Sequence, residues 1–139
     1  MKKDVKLANT KPFYAGAIGS TLAVLILLAL FVFPPARISK ICDFIIPRIE
    51  DARAMALDED FVGALSVCEE MASYLDGEYE FLYSFIDHEH VAELEDDINA
   101  CIDMAHTESA DQFLSELWSF RITIETIKHI ESIKSYSFL

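Results

Sequence analysis

From Pro12 to Ala36 the chain contains no Lys, Arg, Asp, Glu or His, and within that stretch Phe13 to Phe33 departs from the apolar set only at Gly16, Gly19, Ser20 and Thr21. At ~1.5 Å of rise per residue these 21 residues span about 31 Å as a helix, close to the ~30 Å hydrocarbon thickness of a bilayer. A soluble helix of this length needs a polar face, and this one has none. A cleaved signal peptide shares the basic start, the apolar run and a small residue, Ala36, after it. Its apolar core, however, is roughly 7 to 15 residues long, and here Pro34-Pro35 occupies the place of the cleavage site. The sequence predicts an uncleaved anchor, embedded in the lipid bilayer through residues 13–33.

Charge divides the chain into three zones. Residues 1–11 carry Lys2, Lys3, Lys6 and Lys11 against Asp4 alone, and residues 12–36 are neutral. Residues 37–139 hold 7 basic and 23 acidic residues, so that the total of −13 conceals a region of −16. Arg37, Lys40, Arg48 and Arg53 beyond the span match the first four basic residues in number. They are more dispersed, though, and diluted by Asp43, Glu50 and Asp51. Basic flanks are retained in the cytoplasm, which predicts a single-pass membrane protein with its N-terminus cytoplasmic and its acidic part extracytoplasmic. The expected organisation is a basic cytoplasmic tail (1–11), a transmembrane anchor (12–36) and an acidic helical domain (37–139). Such a surface repels nucleic acid and anionic headgroups and favours a basic protein or loosely held divalent cations. With 53% hydrophobic residues, the chain is too apolar for a disordered acidic tail.

The acidic region has helical periodicity throughout. Ile38, Ile41, Ile45, Ile49 and Ala52 form one stripe, and Phe61, Leu65, Cys68, Ala72, Leu75, Tyr79, Leu82 and Ile86 a second at alternating spacings of 4 and 3. Val91, Leu94, Ile98, Cys101 and Ala105 form a third, and Phe113, Leu117, Phe120, Ile124 and Ile127 a fourth. Asp58-Glu59-Asp60 offers a capping acid before the second stripe, and Asp87 caps a helix beginning at His88. Thr107-Glu108 makes a turn before a capping box of Ser109 and Gln112. Pro47 opens a helix or kinks the juxtamembrane one. The predicted fold is all-α: one N-terminal transmembrane helix followed by a small antiparallel bundle of three to four amphipathic helices.

Sites of chemistry are sparse. Three cysteines cannot close a disulfide framework; Cys68 and Cys101 fall on apolar seams and read as buried thiols, with a Cys68–Cys101 bridge as the alternative. Asp87-His88-Glu89-His90 is the densest group of metal donors, yet the two histidines point about 200° apart on a helix, and Ala92 stands where the zinc-protease motif HExxH needs its second histidine. A metal site would have to join helices, for example His88 with Glu125 or His129; otherwise His88 is a hydrogen-bonding residue at a helix junction. The carboxylates, such as Glu89, Glu93 and Asp97, lack calcium-loop spacing and read as a solvated face. With no catalytic motif, no enzyme activity is expected, and no cofactor.

Phe85-Ile86-Asp87-His88-Glu89, an acidic amphipathic helix, then Phe113-Leu114-Ser115-Glu116-Leu117 and Ile127-Lys128-His129-Ile130-Glu131 resemble the small membrane-anchored bacterial proteins grouped as domain of unknown function 4363. The resemblance covers about residues 12 to 133. That family, mostly of Gram-positive bacteria, has an N-terminal span, a short helical domain and no assigned activity. Phe61 with Ala64 matches its aromatic-x-x-Ala helix start, while His90 stands where the family has an acidic residue. The resemblance implies a bacterial cell-envelope protein in which Asp87, His88 and His129 are family-typical positions.

Two functions are expected from these features. The first is a single-pass anchored helical scaffold that docks another envelope or membrane protein, or itself, through an exposed aromatic strip drawn from Trp118, Tyr83, Tyr74 and Tyr136. The second is an extracytoplasmic metal- or ligand-binding sensor using His88 and His129.

Overall fold

The computed structural model describes the backbone of residues 11–136 and the side chains of residues 16–29 and 32–133. It is helical, with no strand among the described residues: α1 (Lys11–Leu57), α2 (Phe61–Asp76), α3 (Tyr79–Phe85), α4 (His88–His106) and α5 (Ala110–Tyr136). The basic tail, residues 1–10, lies outside the described residues. The chain divides into two compact units, Met1–Phe33 and Pro34–Leu139.

In the first unit the apolar residues of α1 lie exposed; Ile18 and Leu22 are typical. One of its few polar side chains is satisfied within the helix, Thr21 Oγ1 donating to the Ala17 carbonyl at 2.9 Å. Among the described residues, α1 is the one helix long and apolar enough to cross a membrane.

The second unit is a four-helix bundle made by the later part of α1 with α2, α4 and α5. Cross-helix pairs fix its directions. Arg37 reaches Glu78 and Arg48 reaches Glu70, so α1 and α2 run antiparallel. Asp43 meets Lys128 and Glu50 meets Arg121, so α1 and α5 also run antiparallel. Asp97 is held between Ser119 and Thr123, which sets α4 against α5. The helices therefore alternate in direction and close a ring, α1–α2–α4–α5, with short α3 packed against α4 in the connection.

All four predicted stripes line the core, with two corrections. The first stripe is not a helix of its own: Ile38, Ile41, Ile45, Ile49 and Ala52 are buried along α1. Pro47 neither opens nor ends that helix. It lies on the exposed side of the helix. The second stripe is not one helix but two, since Gly77-Glu78 separates α2 from α3. Along α2 the buried line is Ala64, Cys68, Met71 and Leu75, with Phe61, Leu65 and Ala72 at its flank. A helix lying between α1 and α4 buries an arc wider than a seven-residue seam. Phe113 and Phe120 fill the centre, Phe61 meeting Phe113 edge-on at 6.5 Å.

The turns follow local chemistry. Asp60 caps α2 by accepting from the Gly63 N–H at 2.9 Å, and Asp87 caps α4 by accepting from Glu89 N–H at 3.0 Å. Ser109 immediately precedes α5. α1 ends in a Schellman pattern, with Asp60 N–H bonded to the Met55 carbonyl and Glu59 N–H to the Ala56 carbonyl. Glu59 holds the left-handed position at φ 62°, and Glu108 does the same after α4 at φ 54°. Gly63 is required by its cap: a Cβ there would collide with the Asp60 carboxylate and lie 3.0 Å from Met55 Sδ.

Candidate interaction surface

The bundle buries its apolar residues well enough that the exceptions stand out, and the most exposed large one on α5 is Trp118. Ser119 and Thr123 turn one edge of α5 toward α4, and Arg121 and Lys128 turn the other toward α1. At 100° per residue, Ile122 points directly away from the core, and Trp118 lies on the outward face displaced toward the Arg121 edge. Trp118 is 64% exposed and Ile122 48%, with half-buried Leu114 one turn earlier. Sequence reasoning missed Ile122. Its signal was the i, i+4 series 114, 118, 122 on a helix whose opposite face was already apolar.

The other aromatic residues expected in this strip are committed elsewhere. Tyr74 stacks on Phe44 at 3.8 Å, and the Arg48 guanidinium covers the far face of the same ring at 3.5 Å. This sandwich joins α1 to α2, and Tyr74 is half-buried because of it. Tyr83 is also half-buried, its hydroxyl donating to Glu95 at 3.4 Å and its ring 5.2 Å from that of His88. Both serve helix junctions. The side chain of Tyr136 lies outside the described residues.

The histidine readings fare differently at each position. Asp87 is a helix cap. His88 opens α4, exposed, and its described contact is with the Tyr83 ring and not a hydrogen bond. His129 is exposed on α5, where its carbonyl accepts from Ser132. Glu125, a suggested partner of His88, accepts from Arg121 at 2.9 Å. Among the described residues no group of three or more His, Cys, Asp or Glu side chains is placed to share a metal ion.

Cys42, Cys68 and Cys101 are free and buried. Cys42 donates to the Ile124 carbonyl at 3.7 Å, joining α1 to α5. Burial pushes the Cys42 thiol up to about 11 and the Cys68 thiol up to about 12. Burial, reinforced by neighbouring Cys68, raises Cys101 as well. At neutral pH these groups are protonated, and the thiolate that attacks disulfides or binds metal is absent.

Charge is distributed as unevenly as exposure. The described Lys and Arg pairs are all made among α1, α2 and α5, with Glu78 in the turn after α2. α4 carries Glu89, Glu93, Glu95, Asp96, Asp97 and Asp103 with no Lys or Arg of its own, and none reaches it from another described residue. Asp97 spends both oxygens on α5, accepting from Ser119 at 3.1 Å and Thr123 at 2.6 Å. Of the other α4 carboxylates, Glu95 accepts from the Tyr83 hydroxyl and Glu93 lies 3.7 Å from the His90 ring nitrogen, while Glu89, Asp96 and Asp103 are exposed.

The surface thus presents an exposed apolar pair on α5 and, on α4, carboxylates with no described Lys or Arg partner. No family model matches the chain, no curated protein matches it in sequence, and no solved structure matches it.

Proposed function

We propose that the protein is a single-pass membrane anchor displaying an acidic four-helix bundle as a docking module for another membrane or envelope protein. The observation that carries this reading is Trp118, 64% exposed and continued by Ile122 on the outward face of α5. Exposed tryptophan beside exposed isoleucine is costly on a soluble surface and typical of binding hot spots. No ligand cluster or activated nucleophile competes with it among the described residues.

The anchor is assigned to residues 13–33. A core helix of this composition would be buried, whereas the apolar window of α1 is not. The +3 flank before it favours an N-terminus in the cytoplasm and a bundle outside, and the envelope location rests on the resemblance of its short motifs to the domain of unknown function 4363 proteins.

Trp118→Ala tests the docking role. Chemical crosslinking in intact membranes is expected to give an adduct with the native chain and none with the variant, while circular dichroism of the purified chain stays unchanged. An undiminished adduct contradicts the reading. Protease added to intact cells is expected to cleave the bundle; complete protection contradicts the topology.

A further inference from the structure

We propose that the end of the bundle bearing α3 is an interfacial foot that contacts the lipid headgroups, with the Phe85 ring at their boundary with the acyl chains. The proposal rests on the anchor assigned above to residues 13–33 and goes further by giving the bundle a lipid contact of its own.

The composition of α3 sets it apart. Tyr79, Phe81, Tyr83 and Phe85 are four of its 7 residues, whereas α4, with 19, has no Phe, Tyr or Trp. Burial of Phe81 and Leu82 seats α3 on the bundle and Tyr79 and Tyr83 flank them, which leaves Phe85 41% exposed. Rings left over from core packing suit a membrane–water interface, where aromatic side chains concentrate.

A short run of contacts ties this ring to the start of the bundle. Arg37 pairs with Glu78 at 2.8 Å and lies over the Phe81 ring at 4.4 Å, and the Phe81 and Phe85 ring centroids are 4.9 Å apart. Arg37 follows Phe33, the last residue of the apolar run, by four positions, which even extended chain stretches to no more than about 14 Å. Covalent length therefore keeps Arg37, and with it the rings of α3, near the headgroup layer, which is roughly 5–7 Å thick on each side of a bilayer. Lys128, paired with Asp43, sends α5 toward the same end of the bundle, where Ile133 is 51% exposed.

Exposure alone does not make the assignment. Leu57 and Val62 are 56% and 80% exposed, but they adjoin the α1–α2 turn, about 35 Å of helix beyond Pro34. Glu80, Asp87 and Glu89, which flank Phe85 in sequence, are exposed and repel anionic headgroups. The contact is accordingly apolar and suits zwitterionic lipid.

Brominated phosphatidylcholines, which quench tryptophan at the depth of the bromine, test this on the full-length protein in nanodiscs. In a Trp118→Phe background with helicity checked by circular dichroism, one tryptophan is placed by Phe85→Trp, Val62→Trp or Leu22→Trp. Phe85→Trp is expected to lose more emission to lipids brominated near the headgroup than to those brominated near the chain end. Leu22→Trp, within the span, is expected to show the reverse order, and Val62→Trp no loss. An unquenched Phe85→Trp beside a quenched Leu22→Trp overturns the foot and keeps the anchor; an unquenched Leu22→Trp overturns both. Equal quenching of Val62→Trp and Phe85→Trp also overturns the foot, because the bundle then meets lipid without preference for one end. If Phe85→Trp loses helicity, 4-fluorophenylalanine at position 85 replaces it. Broadening of its fluorine signal by lipid-borne nitroxides is then the expected result, and a signal left sharp overturns the foot.

Discussion

The α1 side and the α4 side of the bundle share one apolar interior and have opposite exteriors. On the α1 side, Arg37, Arg48, Arg121 and Lys128 cross to neighbouring helices, and Phe44, Tyr74 and the Arg48 guanidinium stack across the α1–α2 boundary. On the α4 side the described polar contacts that cross to α5 are a single carboxylate shared by two hydroxyls, and the α4 acids have no described Lys or Arg partner. The α1 exterior is therefore crossed by ion pairs and ring contacts, and the α4 exterior is not. Burial supplies most of the stability on both sides, which is why one side can leave its charges unpaired.

The largest effect is expected where the sides are alike. Phe120→Ala empties the shared centre and should cost about 3–5 kcal/mol in denaturant unfolding of the purified chain. A loss confined to local fraying would show that the sides do not share a core. Next comes the α4–α5 seam: Asp97→Ala removes a charged acceptor from Thr123, which is 5% exposed, and should cost about 2 kcal/mol. Arg48→Ala, on the opposite side, loses a partly exposed ion pair and a ring contact and should cost about 1 kcal/mol. If Arg48→Ala proved the costlier of the two, the ion pairs on the α1 side would hold the bundle more strongly than their exposure to water allows.

The thiols test whether the interior is equally closed on both sides. Cys42 lies on the α1–α5 side, and Cys68 and Cys101 lie on α2 and α4. Their raised values mean that the folded state holds protons the unfolded state releases from about 9 upward. Their contribution to stability is thus complete below pH 9 and is lost as pH rises through about 11 and 12. All three should resist alkylation at pH 8 until the chain is unfolded, as followed by mass spectrometry. Rapid labelling of one alone would mark an open side.

The smallest effects concern the turns. Gly63→Ala displaces the Asp60 cap and should cost about 1 kcal/mol. Gly77→Ala meets only the Tyr74 carbonyl at 3.5 Å, at an ordinary φ of −73°, and should raise stability by about 0.5 kcal/mol. Thermal melts of the two variants should move in opposite directions.

Much of the helical architecture could be read from spacing, because residues three and four apart share a face whatever lies opposite. Asp60 and Asp87 were likewise legible as caps, since their bonds are local. The length of α1 was not legible, since a proline on the exposed side of a helix, as Pro47 is, does not have to end it. Nor was the division of aromatic residues. Tyr74 and Trp118 both lie off the main stripes, and only the tertiary fold shows that Phe44 meets one while the other stays exposed. His88 and His129 had the chemistry of ligands, but convergence of donors is a property of helix packing and not of spacing.

The most direct measurement is a photocrosslinking comparison between the two sides in native membranes. A benzophenone side chain replaces Trp118 on the open face in one variant and exposed Glu69 on α2 in the other. Irradiation is expected to give a discrete protein adduct from position 118 and none from position 69. Adducts of equal yield from both positions, or none from position 118, would contradict a docking role for the outward face of α5.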